Sequence, residues 1–460
     1  MQTTNINYRP FIILLFVSGI FLSCYKDEPK ATKQNFFSNE IGLIDTMSFF
    51  NPPSNTIHID PTAADNAEAD GSIEKPFNAF TNFKFTENTI YALKRGTAIT
   101  TDYINIDVDG VTLCSYGSSD KRPLINSTAS SQHAILTHWK GPSNITIRDI
   151  EVFGPDANSC IRFGGAGRNL KVINCVLHGA YWEFRSIEAY EVLVLNTEMY
   201  HANDDGMFIQ LCNDVEISNC YVHDVNQNWQ PPSTPEGDAA GDGIQLDKCN
   251  HWHIHHNYID RSTTGNKFCF ISNNPDQYDG IFEYNWCLGP KVNGSGVYLH
   301  DGNGIVVRYN YIESPGGSPV YTHGNNVLIH HNIFKDIASP VYTSADSRIY
   351  NNLIDGFITA FMGGDLEVRN NILVPNREEF WIYHVEHVNA SNNILANSED
   401  QEGIIGGNPA FVNIGNLNYH LTKNSDCIDA GVDVGINYDY DGIEIPQGSA
   451  PDIGPYEYVE

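Results

Sequence analysis

Between residues 160 and 325 this chain spaces arginine, lysine, histidine, tyrosine and aspartate at near-regular intervals. A succession of short, apolar-alternating segments carries Arg162, then Glu183 and Arg185, then Phe208 and Gln210, then Gln245 and Asp247. Lys267 and Cys269, Tyr298 and His300, and Tyr321 and His323 continue the series. Asp204-Asp205-Gly206 and Asp242-Gly243 lead into two of these segments, and His178, His201 and His223 follow one another at steps of 23 and 22 residues. An arginine beside a histidine, lysine or tyrosine can hold a carboxylate and remove a proton from the adjoining carbon. Two aspartates one repeat apart can divide acid and base work between them. Charged residues on a regular surface are most often only solvated. Here the types are mixed and recur in phase, whereas the same places further on read Tyr342 and Phe361. Acids, bases and cations gathered this closely tune one another's pKa.

The element that would position them is a repeat. Ile-Ser-Asn-Cys-Tyr-Val at 217–222, Ile-His-His-Asn-Tyr-Ile at 254–259, Ile-His-His-Asn-Ile-Phe at 329–334 and Val-Arg-Asn-Asn-Ile-Leu at 368–373 are one phrase in different spellings. Its key column is Cys175, Cys220, Asn257, Asn285, Asn310, Asn332, Asn352, Asn371 and Asn393, the last six steps being 28, 25, 22, 20, 19 and 22 residues. A period this short, with strand alternation and no helical pattern, marks a β-solenoid. Coils stack at about 4.8 Å, so an inward asparagine lies under the amide of the next and each can donate and accept along the stack. The expected fold is all-β: a single right-handed parallel β-helix with an N-terminal cap and a C-terminal closing segment, acting as a monomer.

The rest of the chain divides around this solenoid. Arg9, the apolar run 11–22 and Phe21-Leu22-Ser23-Cys24 resemble a bacterial lipoprotein signal, which would make Cys24 the lipidated first residue of an exported chain. Tyr25-Lys26-Asp27-Glu28 is similar to the surface-export signal of Bacteroidetes lipoproteins, implying an outer-membrane or cell-surface location reached only through the lipid. Residues 1–24 are thus read as signal, 25–55 as tether, 56–405 as solenoid and 406–460 as closing segment. Phe77, Phe80, Phe83 and Phe85 are expected to cap the open end. The step from Cys220 to Asn257 holds an insertion, 226–241, with Trp229-Gln230-Pro231-Pro232, read as a loop on the binding face. The nine cysteines besides Cys24 contain no Cys-x-x-Cys; most are expected to be core residues, and Cys212 and Cys249 stand where a disulfide could join successive coils. With 56 Asp and Glu against 26 Lys and Arg, a net charge of −30 argues against nucleic acid as a partner.

With the repeat, the segments Asn408-Pro409-Ala410-Phe411-Val412, Cys427-Ile428-Asp429-Ala430-Gly431 and Pro451-Asp452-Ile453-Gly454-Pro455-Tyr456 resemble the closing segment of bacterial proteins of the pectate-lyase-like β-helix superfamily. The resemblance spans residues 56–460 and bears on fold rather than reaction. Asp204-Asp205-Gly206 resembles the Asp-Asp-Gly turn of calcium-dependent pectate lyases, which implies Asp204, Asp205 and Asp242 as a candidate Ca2+ set. Those enzymes carry a further aspartate and a lysine base where this chain has Phe208 and Gln245. The leading expectation is a lyase acting on a uronate-containing polysaccharide or oligosaccharide. Arg162, Arg185, His201 or His300 would neutralise the carboxylate, and Lys267, His201 or Tyr298 would take the C5 proton. Elimination then expels the O4 substituent, or water in a dehydratase variant. Asp205 and Asp242 would orient cations, and Arg162, His223, Trp229, Tyr321 and His323 would hold the sugar. A glycoside hydrolase using Asp204 or Asp205 with Asp242, and a non-catalytic glycan-binding surface protein, are the alternatives. Polygalacturonase-type motifs (Asn-Thr-Asp, Gly-His-Gly, Arg-Ile-Lys) are absent from the sequence.

Overall fold

Alternating apolar residues make each strand bury one side, and the short period returns the chain to the same edge about every 22 residues. The computed structural model describes residues 48–460 apart from 65–66, 81–83, 227–240, 264–266, 274–277, 292–293, 344–345, 357, 361–364, 375–381, 384–387 and 398–403. Each coil contributes one strand to each of three parallel sheets. Among the described residues sheet 1 has 14 strands, from Ile57–Ile59 to Val388–Ser391. Sheet 2 has 14, from Ala98–Thr101 to Ile404–Gly407, and sheet 3 has 12, from Ile104–Ile106 to Ile382–Tyr383. Among the described residues there is no α-helix, only the 3-10 turn Ile414–Asn416.

Inward side chains stack in register. In sheet 1, Val172, Val194, Ile217, Ile254, Phe282, Val307, Ile329, Ile349 and Val368 lie one above another and are buried. One apolar core extends from Ile59 to Ile404. Phe77, Phe80 and Phe85 pack against its upper end; Phe83 lies outside the described residues.

The corner from sheet 1 to sheet 2 holds the asparagine ladder. Asn257 Nδ2 donates to Asn285 Oδ1 at 2.9 Å, and the pattern continues through Asn310, Asn332, Asn352 and Asn371 to Asn393 at 2.9–3.1 Å. Each Oδ1 also accepts the backbone N–H of the coil before it, beginning with Cys220 N to Asn257 Oδ1 at 2.9 Å. Above Cys220 the column passes through Thr197, whose Oγ1 accepts from Cys175 N at 3.4 Å. This coil is missing from the spacing read off the sequence because threonine is not part of the phrase. The residue before each ladder position turns the chain with a left-handed backbone, as in Asn351 (φ 53) and Asn370 (φ 58). Bulky residues take this costly conformation at His256, Tyr284 and Tyr309. Their rings stack at 5.1 and 4.8 Å.

The closing segment does more than cover the last coil. The outward column of sheet 2 turns apolar at Tyr311, Ile333, Leu353, Ile372 and Ile394. Tyr419, Leu421, Cys427, Ile453 and Tyr456 bury it as a second core. Asn392, Asn370 and Asn351 donate to Ala430 O, Val432 O and Asp452 O, so the segment climbs the corner coil by coil. All nine described cysteines are buried free thiols. The Cys212–Cys249 disulfide is therefore not formed: the two free thiols hydrogen-bond to each other, and also to Gln210 O and Ile209 O.

Candidate active site on sheet 3

The outward column of sheet 3 runs Leu136, Arg162, Arg185, Phe208, Gln245, Ile271, Tyr298, Tyr321 and Tyr342, each in register with the next. Gln210, Asp247 and Asn273 stand two residues further along their strands, on the same face. The expected columns are correct except in two coils. Glu183 does not face outward. It is buried in the corner between sheets 2 and 3, where it accepts from Gly179 N at 2.8 Å and from Cys160 Sγ at 3.0 Å. Lys267 and Cys269 precede their strand, Phe270–Asn273, because the connection into it is four residues longer than the repeat implies. Cys269 is buried.

The expected residues form separate groups rather than one patch. Tyr298 lies four coils below Arg185, about 19 Å at the strand spacing. The lower group holds Tyr298 stacked on Phe268 at 4.7 Å and on Tyr321 at 5.1 Å, and Tyr321 on Tyr342 at 4.1 Å. His300 Nδ1 lies 2.7 Å from Asp301 Oδ2, and the His323 ring lies 5.1 Å from Tyr321. Between the groups Gln210 donates to Asp247 at 2.6 Å. His201 does not join the face: it is exposed, with a left-handed backbone, and its ring sits edge-on to Tyr200 of sheet 2. His223 is on sheet 2 itself, between Glu198 and Asp224 and stacked with Tyr221. Trp229 and Cys24 lie outside the described residues.

Asp205 and Asp242 are a correction of a different kind. They occupy successive coils in register with Trp182 and Phe268, but both are buried, 3% exposed. Asp205 Oδ1 accepts Asp242 N at 2.7 Å, and Asp242 Oδ1 accepts Phe268 N at 2.8 Å. Burial and the charges of Asp204 and Asp242 push the Asp205 carboxyl well above the usual range. Buried Arg261 offsets them in part; its guanidinium donates to Val225 O and Gly241 O, the two flanks of the 226–241 insertion. Among the described residues no three His, Cys, Asp or Glu side chains converge as a metal-binding group. One oxygen each of Asp205 and Asp242 is engaged by a backbone N–H of the next coil.

The upper group is the chemically distinctive one. Arg162 and Arg185 are adjacent on the column, half-buried, and among the described residues neither makes an ion pair. Burial lowers the pKa of both, and the Arg162 charge lowers that of Arg185 further. Their heads diverge. Arg185 lies over the Trp182 ring at 4.3 Å and 5.5 Å from Phe208. Arg162 turns toward Gly164, where a Cβ would stand 2.6 Å from its Nη1. Trp182 stacks on Phe208 at 5.6 Å. One coil above Arg162 is His133, which sequence reasoning missed because its coil lacks the asparagine phrase; Trp139, 71% exposed, follows the same strand.

The chain folds as a right-handed parallel β-helix, and a family model described as a right handed beta helix region matches residues 115–334. Among solved structures it is similar to XylC in complex with xylose, at 11% identity over 88% of this chain and 98% of that one, TM-score 0.53. It is also similar to the PL6 family alginate lyase AlyGC, at 12% identity and TM-score 0.52, over 71% of this chain and 52% of that one. It therefore spans about half of AlyGC. At these identities the likeness is one of fold. No curated protein matches the sequence to a significant degree.

Proposed function

We propose that this protein is a lyase acting on uronate-containing glycans, with sheet 3 as its binding face. The observation that carries the reading is the pair Arg162 and Arg185. In a chain of net charge −30, two half-buried arginines occupy adjacent coils, and among the described residues neither makes an ion pair, although the charge of Glu188 acts on Arg162. Such a pair suits an anion brought by the substrate, since guanidinium matches carboxylate in geometry and charge. Binding there would neutralise the uronate carboxylate and make its C5 proton removable. Elimination then forms the C4=C5 double bond and expels the O4 substituent. Trp182 and Phe208 beside the arginines, and Tyr298, Tyr321 and Tyr342 below, would offer apolar ring surface to the sugars. An alginate lyase and a xylose-binding protein built on the same kind of scaffold are consistent with this.

The test is incubation with a panel of uronate-containing glycans while following the ultraviolet absorbance of the new C4=C5 bond. Wild type should produce it, and Arg162→Ala and Arg185→Ala should each lose most of it while remaining folded. Saturated reducing ends, lost in Asp205→Asn or Asp242→Asn, would mean hydrolysis instead. Glycan retained unchanged would make the face a docking surface. Full activity in both arginine variants would remove the basis of the proposal.

A further inference from the structure

An arginine pair can hold and neutralise a carboxylate, but elimination also needs a base within reach of C5. The residues with suitable chemistry elsewhere are badly placed. Tyr298 is four coils from Arg185, and the strand that follows Lys267 is three coils away, about 14 Å. His201 belongs to the corner beside sheet 2.

His133 is placed differently. It opens the strand His133–Thr137 and pairs in register with Ser159, which pairs with Trp182. Arg185 reaches back over this column, its guanidinium on the Trp182 ring at 4.3 Å, and Trp182 stacks on Phe208 at 5.6 Å. The ring is half-buried, and its Nδ1 lies 2.8 Å from Ser159 Oγ. With Nδ1–H donated to that oxygen, the lone pair resides on Nε2, which has no hydrogen-bond partner among the described residues.

We propose that His133 Nε2 is the base that removes the C5 proton of a uronate whose carboxylate is held by Arg162 and Arg185. This rests on the lyase reading above. The C5–H bond breaks and the proton passes to Nε2. The electron pair forms the C4=C5 bond, and the C4–O4 bond breaks with its pair on oxygen, which takes a proton from water. His133 then returns its proton to solvent.

The surroundings give this base a dependence on substrate. Burial, then the charges of Arg162 and Arg185, push the imidazole down to about 4, so it is neutral at pH 7. The charge of Glu188 also acts on Arg162. A bound carboxylate offsets the two positive charges while the burial contribution stays. The proton affinity of His133 therefore rises in the complex, and it becomes a stronger base when there is a proton to remove. The acid limb of kcat/KM reports the free enzyme and that of kcat the complex, so the kcat limb should lie at higher pH.

The experiment uses full-length protein and a uronate glycan that wild type eliminates. His133→Gln should lower kcat by a factor of about 100 to 10,000 and leave KM within about twofold, with an unchanged circular dichroism spectrum. Ser159→Ala should lower kcat more modestly at unchanged KM. A His133→Gln enzyme with near-wild-type kcat overturns the assignment while leaving the lyase reading intact. If that variant is poorly folded, the wild-type profiles decide: a kcat limb at or below the kcat/KM limb overturns it. If wild type eliminates no uronate glycan, the lyase reading itself fails, and the assignment with it.

Discussion

Replacing Asn310 by Leu tests whether the ladder is a stabilising device or a passive consequence of the repeat. Asn310 Nδ2 donates to Phe282 O and Arg308 O at 2.8 Å and to Asn332 Oδ1 at 3.0 Å. Its Oδ1 accepts Asn285 N at 2.9 Å and Asn285 Nδ2 at 3.1 Å. Several of these partners keep a second bond after the change: Asn285 Nδ2 retains Ile254 O, Asn332 Oδ1 retains Asn310 N, and Arg308 O retains Tyr284 N. The Asn285 backbone N–H loses its acceptor in a buried corner, at a cost of about 1–3 kcal/mol. Crowding by the leucine between stacked coils adds about 1–3 kcal/mol more. The expected loss is therefore about 2–6 kcal/mol, measured as a lowered urea midpoint. Hydrogen exchange localises it: the Asn285 amide should exchange faster, while those of Asn352 and Asn371, two coils or more away, stay protected. A variant within 0.5 kcal/mol of wild type, with Asn285 exchanging as before, would refute the reasoning.

Three further outcomes follow from the buried charges and the N-terminus. Burial pushes the Glu183 carboxyl up to about 8 from an ordinary 4.5, so folding takes up a proton between those values. Its contribution to stability is complete below about pH 4.5 and lost as pH rises to 8, at about 1.4 kcal/mol per unit. Glu183→Gln should flatten that slope and make the protein more stable than wild type at pH 8, on the order of 3–5 kcal/mol, read from denaturant midpoints across pH. Arg261→Met leaves Asp205 and Asp242 without their buried cation and should cost about 3–5 kcal/mol; adding Asp242→Asn should recover part of it. Cys24→Ala should move the protein from the membrane fraction to the soluble fraction if the proposed lipid anchor is correct; an unchanged distribution would dismiss it.

The fold was legible because its driving pattern is local: alternating apolar strands and in-phase asparagines appear in the sequence as they appear in the coils. The candidate site was legible only where the period held. Arg162, Arg185, Phe208 and Gln245 follow the repeat and share a column, whereas Lys267 was displaced by extra residues in one connection. Glu183 was misread because strand alternation does not extend into a corner, where a side chain two residues before an outward one can be buried. Burial of Asp205 and Asp242 depends on hydrogen bonds to the next coil, which composition does not reveal. His133 lies above the first asparagine-type phrase; counting back one coil from Ser159 would have found it.

The corner hydrogen bonds have a consequence for how such a molecule can change. Cys220 N reaches Asn257 Oδ1 at 2.9 Å across 37 residues of chain, and Asn352 N reaches Asn371 Oδ1 at 3.0 Å across 19. The contact is the same although one path is nearly twice as long. Geometry along the wall is therefore decoupled from the amount of chain spent between walls, and closing a longer loop costs only a logarithmic increment of entropy. New segments can be spliced in beside Phe208 and Gln245 without shifting either by a residue. What overhangs the face can thus diversify while the spacing beneath it is inherited unchanged.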